Sequence, residues 1–321
     1  MIKVVLVAIV AGFALLASPP ASATFSIVAC DSKNCGAAVA TNNLAVGATV
    51  IYAKAGVGAV ASQFETNPSY GLKGLALLEA GRGAEAALSE LLRTDDGFEG
   101  QDISFRQVGI VGIVGKGAAY TGEVAAGSPW AGMLTGPGYS IQGNGLAGHM
   151  VLEAMRERFL KTRGTLADRL MAALEAGQAA GGQTTGRLSA ALLVRTSEGG
   201  FQDIDLRVDA ADQPIPALHR LLGMHEANDE MVRAERALHS GHIDAAKASL
   251  ADAVRLGAGW DRIWRRAARL EMSMGDKGAA LQALAAFASI NPVWARSELD
   301  DPVYASLWQN ADAVEWRQGL R

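Results

Sequence analysis

The residues with the clearest chemical content stand together near the start of the chain, at Ala21-Ser22-Ala23 and Thr24. Met1–Ala23 carries one lysine, an apolar run from Val4 to about Ala17, and small residues at its end. That is the pattern of a secretory leader with an A-x-A cleavage site, and the apolar run is short for a membrane span; an uncleaved anchor is the other reading. Cleavage would leave Thr24 first and no stable membrane anchor. A threonine hydroxyl is a weak nucleophile until a base takes its proton, and an N-terminal threonine carries that base in its own α-amine, of ordinary pKa about 7.7–8.0. Thr24 therefore reads either as nucleophile and base in one residue, or as the first residue of a strand.

Other constellations carry less. Gly143-Asn144-Gly145-Leu146-Ala147-Gly148 is a literal G-x-G-x-x-G, with Asp168 twenty residues after Gly148. A dinucleotide site needs that turn inside a βαβ unit with the acid on a following strand. Asp168 falls in a second helical stretch, so a glycine turn from strand to helix is expected. Arg262, Arg265, Arg266 and Arg269 share one helix face, either as a solvated stripe over apolar surface or as a groove for an acidic partner. Neither G-x-S-x-G nor a zincin histidine pair occurs, and the five histidines show no ligand spacing. No metal or cofactor is expected.

The elements that must position these residues follow from patterning. The chain has 321 residues, 50% hydrophobic and 19% charged, with 37 glycines and two cysteines; this excludes disorder and suggests about two domains. Removing Met1–Ala23 takes away Lys3 and no acid, moving the formal net charge from −4 to −5, which gives no basic footprint for nucleic acid. Thr24–Ala29 and Gly36–Thr41 read as a hairpin around Cys30 and Cys35. In an oxidising compartment these two cysteines either bond across the hairpin or remain free thiols. Further strands come in hairpins and helices in consecutive pairs, which predicts antiparallel sheets covered by helices. From about Glu226 the pattern is helical and repeats at an offset of 34 residues: Gly241 with Gly275, Ala246 with Ala280, Leu250 with Leu284, Trp260 with Trp294. That period resembles the tetratricopeptide repeat. The expected organisation is a leader over 1–23, a first domain over 24–225 and a helical domain over 226–321.

TFSIVA (Thr24–Ala29), AGVGAVASQ (Ala55–Gln63), TNPSYG (Thr66–Gly71), RQVGIV (Arg106–Val111), PWAG (Pro129–Gly132), GPGYSIQGNGLAG (Gly136–Gly148), LEAGQAAGG (Leu174–Gly182), SAALLV (Ser189–Val194) and LRVD (Leu206–Asp209) together resemble the DUF1028 family, whose fold is similar to the N-terminal-nucleophile (Ntn) hydrolases. The likeness runs from Thr24 to about Leu222. It implies an α+β fold: a four-layer αββα sandwich, here followed by the all-α repeat domain. Cytoplasmic relatives look as though they begin Met-Thr-Phe, so two processing routes would expose the same threonine.

The supporting residues are drawn from the same likeness. Some Ntn hydrolases place a lysine about thirty residues after the nucleophile, where its charge can lower the nucleophile's pKa; Lys54 stands there, as that group or as a surface lysine. Asn144 and Asn67 are the side-chain candidates for an oxyanion hole, each also a turn former. Relatives show an acid after AGG, which Gln183-Thr184-Thr185-Gly186-Arg187-Leu188-Ser189 lacks; Arg187 and Ser189 remain as substrate contacts. The expected function is an exported, periplasmic or secreted amidohydrolase acting on a small amide, a peptide or a cell-wall fragment. The alternative is a non-catalytic envelope scaffold whose helical repeats bind a protein partner or a second copy.

Overall fold

The computed structural model describes residues 23–320; the expected leader lies outside them except for Ala23. The chain divides into two compact units between Ile215 and Pro216. This falls about ten residues before the boundary read from sequence, because one helix of 26 residues runs unbroken through both positions.

In the first unit, β1 (Thr24–Cys30) and β2 (Cys35–Thr41) form a hairpin, followed by β3 (Ile51–Lys54), β4 (Gly58–Phe64), α1 (Ser69–Glu79) and α2 (Ala84–Arg93). Next come β5 (Arg106–Gly112), β6 (Ala118–Thr121), α3 (Glu123–Ala126), β7 (Gly132–Gly136) and β8 (Tyr139–Asn144). The unit closes with α4 (Met150–Lys161), α5 (Leu166–Ala179), β9 (Ser189–Arg195) and β10 (Ile204–Val208). One sheet has the order β10-β9-β2-β1-β8-β7 and the other β3-β4-β5-β6; every pairing is antiparallel. The sheets face each other through β1, β2 and β8 on one side and β4 and β5 on the other. Helices α4 and α5 pack on the six-stranded sheet, and α1 and α2 on the four-stranded one. Strands covered on both faces cannot show an apolar-in, polar-out alternation. That is why β1, β2 and β5 are buried at every position and read as runs of small and apolar residues.

The hairpin register places Cys30 opposite Cys35, and the two are joined by a disulfide with Cα atoms 4.1 Å apart. The G-x-G-x-x-G run ends β8, an antiparallel strand, and leads into α4. Asp168 caps α5: its side chain accepts from the backbone and hydroxyl of Thr165 at 2.8 Å each. The run is the glycine turn expected.

The second unit begins within α6 (Pro214–His239) and continues with α7 (Ile243–Leu256), α8 (Asp261–Met274), α9 (Lys277–Ile290), α10 (Pro292–Glu298) and α11 (Ala311–Leu320). Helices α7 and α9 each have 14 residues and start 34 apart. The glycines that precede them, Gly241 and Gly275, take φ of 78° and 82°, a left-handed turn that only glycine adopts without strain. The match then slips: Trp260 caps α8, whereas Trp294 lies inside α10. Leu250, Leu284 and Phe287 fill the seam.

The arginine stripe on α8 is not a free basic face. Arg265 and Arg269 both bind Glu298, Arg265 at 2.7 Å, and Arg269 also reaches Asp301 at 2.9 Å. Arg266 binds Glu235 and Asn228 at 2.8 Å. Only Arg262 of the four is exposed. Glu298 is 6% exposed, so Glu298→Ala takes the acid partner from Arg265 and leaves Arg269 with Asp301. We expect a loss of about 2 kcal/mol in a denaturant titration, near the lower end for a broken buried pair because both arginines keep some solvent. Arg262→Ala should change stability by less than ~0.5 kcal/mol.

Candidate functional site

The layer between the two sheets is chemically divided along its length. Towards the disulfide it is apolar, with Val28, Cys30, Ala37, Val39, Ala59, Ala61 and Val111 packed together. At the other end of β1 it is polar: Thr24, Ser26, Thr41, Gln63, Gln107, Ser140, Gln142 and Asn144 are all at most 3% exposed. Buried amides and hydroxyls are tolerated only when hydrogen-bonded, and these form one connected relay. Ser140 Oγ donates to Gln142 Oε1 at 3.0 Å, Gln142 Nε2 to Ser26 Oγ at 2.6 Å, and Ser26 Oγ to Gln63 Oε1 at 2.6 Å. Gln63 Nε2 donates to Gln107 Oε1 at 2.7 Å, and Gln107 Nε2 to the Gly143 carbonyl at 2.9 Å and to Thr121 Oγ1 at 3.0 Å. Gly109 makes room for it: a Cβ there would collide with the Gln142 amide.

The direction of the relay is fixed by its end. A backbone carbonyl can only accept, so the nitrogen of Gln107 must face Gly143 and its oxygen must face the other way. That oxygen takes Gln63 and also Asn144 Nδ2, at 2.8 Å. Asn144 is thereby held with its amide oxygen turned away from Gln107, buried and without a partner.

Thr24 heads one of the two central strands of the six-stranded sheet, opposite Thr41 on β2 and Asn144 on β8. Its hydroxyl lies 3.0 Å from Thr41 Oγ1. Thr41 donates its own proton to the Ala23 carbonyl at 2.8 Å, so in the intact chain the Thr24 hydroxyl is the donor of that pair. The Ala23 carbonyl also accepts from Gln183 Nε2 and, at 3.4 Å, from the Asn42 backbone. Gln183 keeps its nitrogen there because the Ala40 carbonyl takes its other N–H at 3.1 Å; its Oε1 is buried with no partner. A cavity of about 70 Å³ opens beside Thr24, lined also by Thr41, Leu44, Gln63, Phe64 and Thr66.

The residues singled out from the sequence are placed unevenly around Thr24. Asn144 adjoins it in register, with one N–H of its amide given to Gln107 and its amide oxygen unpartnered. Ser189 pairs with Thr41 in register; its Oγ donates to the Asn43 carbonyl at 2.6 Å and accepts from Val46 N at 3.1 Å, so it holds a cavity loop and has no free donor. Arg187 binds Gln213 at 2.9 Å. Asn67 is fully buried and committed elsewhere: its Nδ2 binds Asp96 at 2.8 Å and its Oδ1 takes Ser69 N at 3.0 Å, a local cap for α1. Lys54 belongs to the far end. The β3–β4 turn touches the β1–β2 turn through Gly56 N–H to the Lys33 carbonyl, and the seven residues of β1 at ~3.3 Å each separate that end from Thr24 by roughly 20 Å. Its ammonium pairs with Glu79 at 2.5 Å on the surface. Thr41, Gln63, Gln107 and Gln183 were not singled out as site residues from the sequence, although polar residues at alternate positions of Thr24–Ser26 and Ser140–Gln142–Asn144 were the available signal. Among the described residues, no group of three or more His, Cys, Asp or Glu is placed to hold a metal ion.

One wall of the cavity is under backbone strain. Phe64 has φ of 67°, rare for a bulky side chain and worth about 1–3 kcal/mol. Arg106, 1% exposed, holds the corner: it donates to the Glu65 carbonyl at 2.8 Å, to the Phe98 and Gln101 carbonyls, and to Asp95 at 3.2 Å. Burial opposes ionisation of Asp95. Hydrogen bonds from Tyr70, the Gly97 backbone and Arg106 outweigh it and hold the carboxyl below the usual range. Burial and the neighbouring Asp95 push the Tyr70 hydroxyl well above its ordinary value.

The family model described as "Family of unknown function (DUF1028)" matches residues 24–218. The chain is also similar to the crystal structure of protein SPO2555 from Silicibacter pomeroyi, of that same family model, with 34% identity and a TM-score of 0.56 over 62% of this chain and 84% of that one. No curated protein matches.

Because the native Asp95 pKa is depressed, its stabilising contribution is present above the unfolded value of about 4 and is lost as pH falls through the lower native one. Arg106→Met, which leaves Asp95 buried and unpaired, should cost about 3 kcal/mol in urea titration at pH 7. The variant should also lose part of the wild-type decline in stability as pH falls below about 4.

Proposed function

The chain belongs to the DUF1028 family, whose function is unknown, and from that premise we propose that it is an exported amidohydrolase of the N-terminal-nucleophile type, with Thr24 as nucleophile. The observation that carries the reading is the position of Thr24: it heads one of the two central strands of the six-stranded sheet, at the polar end of the inter-sheet layer, and lines a cavity. Cleavage after Ala23 would free the α-amine that the chemistry requires. The Cys30–Cys35 disulfide supports an oxidising compartment, the periplasm or the exterior. Among the described residues no helix is long and apolar enough to cross a membrane.

The reaction balances within one residue and one water. The α-amine of Thr24 takes the hydroxyl proton as Oγ1 bonds to the amide carbonyl carbon. The tetrahedral intermediate collapses with loss of the C–N bond, and the ammonium returns the proton to the leaving amine. Water, deprotonated by the same α-amine, then attacks the ester, releasing the acid and restoring the threonine hydroxyl. The 34-residue spacing of α7 and α9 supports a tetratricopeptide-like reading of the second unit. A scaffold role resting on its arginine stripe is weaker, since three of the four guanidinium groups are bound within that unit.

The test is N-terminal sequencing and intact mass of the exported protein, followed by a β-lactone probe. Thr24 Oγ1 opens the lactone at its carbonyl, the ring oxygen takes up the proton, and the adduct carries the full probe mass. We expect a chain beginning at Thr24 that is labelled at that residue, and loss of labelling in Thr24→Val. A mature chain beginning at any other residue refutes the proposal.

A further inference from the structure

Three hydrogen-bond donors converge on one atom in the intact chain, the carbonyl oxygen of Ala23: Thr41 Oγ1, Gln183 Nε2 and the Asn42 backbone N–H. That carbonyl belongs to the bond whose removal would expose the Thr24 amine. Two buried amide oxygens without a partner belong to its neighbours: Gln183 Oε1, on the amide that donates to that carbonyl, and Asn144 Oδ1, on the residue opposite Thr24 in register. An unsatisfied buried acceptor carries a penalty of about 1–3 kcal/mol, and native structures retain few of them, so each calls for a physical account. Reversing the Asn144 amide does not remove the orphan. Its nitrogen is required by Gln107 Oε1, whose orientation is required by the Gly143 carbonyl.

Cleavage after Ala23 changes the balance at both groups. The carbonyl departs, leaving one N–H of Gln183 and the hydroxyl of Thr41 without their acceptor while the Ala40 carbonyl still anchors the Gln183 amide. At the same time Thr24 gains an amino group with donors that a peptide nitrogen lacks, on the strand position directly opposite Asn144. Vacated donors and an unpartnered acceptor thus flank the nucleophile on its two sides, and the hydroxyl of Thr24 is released from its role as a fixed donor to Thr41.

Resting on the amidohydrolase reading above, we propose that Gln183 Nε2 and Thr41 Oγ1 bind the substrate carbonyl oxygen in the place vacated by Ala23, and that Asn144 Oδ1 accepts from the Thr24 α-amine and aims its lone pair at the Thr24 hydroxyl. Gln183 and Thr41 are then catalytic residues, stabilising the negative charge that gathers on the carbonyl oxygen as the Oγ1–C bond forms. Asn144 is a positioning residue, acting through the amine. This reverses the oxyanion role expected for Asn144 from the sequence. It also gives Gln183 a function at the segment where relatives show an acid.

The experiment uses the mature full chain and two readouts. The first is the titration of the α-amine, measured as the pH dependence of its acetylation by acetic anhydride and read by mass spectrometry of the N-terminal peptide; it requires no catalysis. Asn144→Asp, nearly the same size, should raise the amine pKa by ~1 unit or more by placing a carboxylate on the ammonium, and Asn144→Leu should lower it. The second is the rate of β-lactone labelling. Gln183→Glu and Gln183→Leu should each slow it about 100-fold with the amine titration nearly unmoved in the leucine variant. Thermal melting of each variant reports folding, and the near-isosteric Asn144→Asp and Gln183→Glu keep the test decisive if the leucine variants do not fold. An amine titration identical to wild type in folded Asn144→Asp overturns the positioning role; wild-type labelling in folded Gln183→Glu overturns the carbonyl site. A wild-type chain that begins at Thr24 but is not labelled defeats the amidohydrolase reading and the carbonyl site with it, while the titration still decides Asn144.

Discussion

An amide buried between two sheets has no water to turn to, and in this chain that requirement is met from one backbone atom outward. The Gly143 carbonyl accepts from Gln107 Nε2, and this contact dictates which end of every following amide is donor and which is acceptor, through Gln63, Ser26, Gln142 and Asn144. Misplacing one member would leave buried polar atoms unmatched, at about 1–3 kcal/mol each. Satisfied at the members named except for Asn144 Oδ1, the network is rigid and specific. It crosses between the sheets at the Thr24 end, while the disulfide end is held by apolar packing, so the two ends of the layer are fixed by different physics.

The surroundings of Thr24 depend on that rigidity. Three strands meet there with Thr24, Thr41 and Asn144 in register. Phe64 keeps an unfavourable backbone angle because Arg106 grips the following carbonyl from a buried ion pair. Strain, an unpartnered acceptor and an open cavity occur within one end of one layer. Elsewhere in the first unit, polar groups are consumed locally: Asn67 by the start of α1, Lys54 by Glu79, Asp168 by the α5 cap.

What the sequence revealed followed the range of the interactions. The Cys30–Cys35 hairpin needs only five residues of separation and an antiparallel turn, and it is visible in the residue pattern. The helix pairs, the glycine turn at Gly143–Gly148 and the 34-residue spacing are equally local. Lys54 and Asn67 are engaged by contacts that the sequence does not show: a count of residues from Thr24 does not say at which end of a strand a side chain emerges, nor that a neighbouring helix start will claim its hydrogen bonds. The arginine stripe looked free because its acids, Glu235, Glu298 and Asp301, lie about thirty residues away in sequence. The relay was only partly legible for the same reason. Its members come from four strands, Ser26 on β1, Gln63 on β4, Gln107 on β5 and Ser140, Gln142 and Asn144 on β8, and no strand by itself shows which of the others it will meet.

By itself the sequence determined the fold class, the family, the cysteine pairing open to it and the threonine at the head of the first strand, since each is carried by residue type and short spacing. Only the tertiary structure decided what surrounds that threonine. Gln107 and Gln183 lie far from it along the chain, yet sheet register and the facing of two sheets bring the relay and the donors of the Ala23 carbonyl to one place. The direction of a buried amide is set by its partners, and those partners exist only once both sheets have closed.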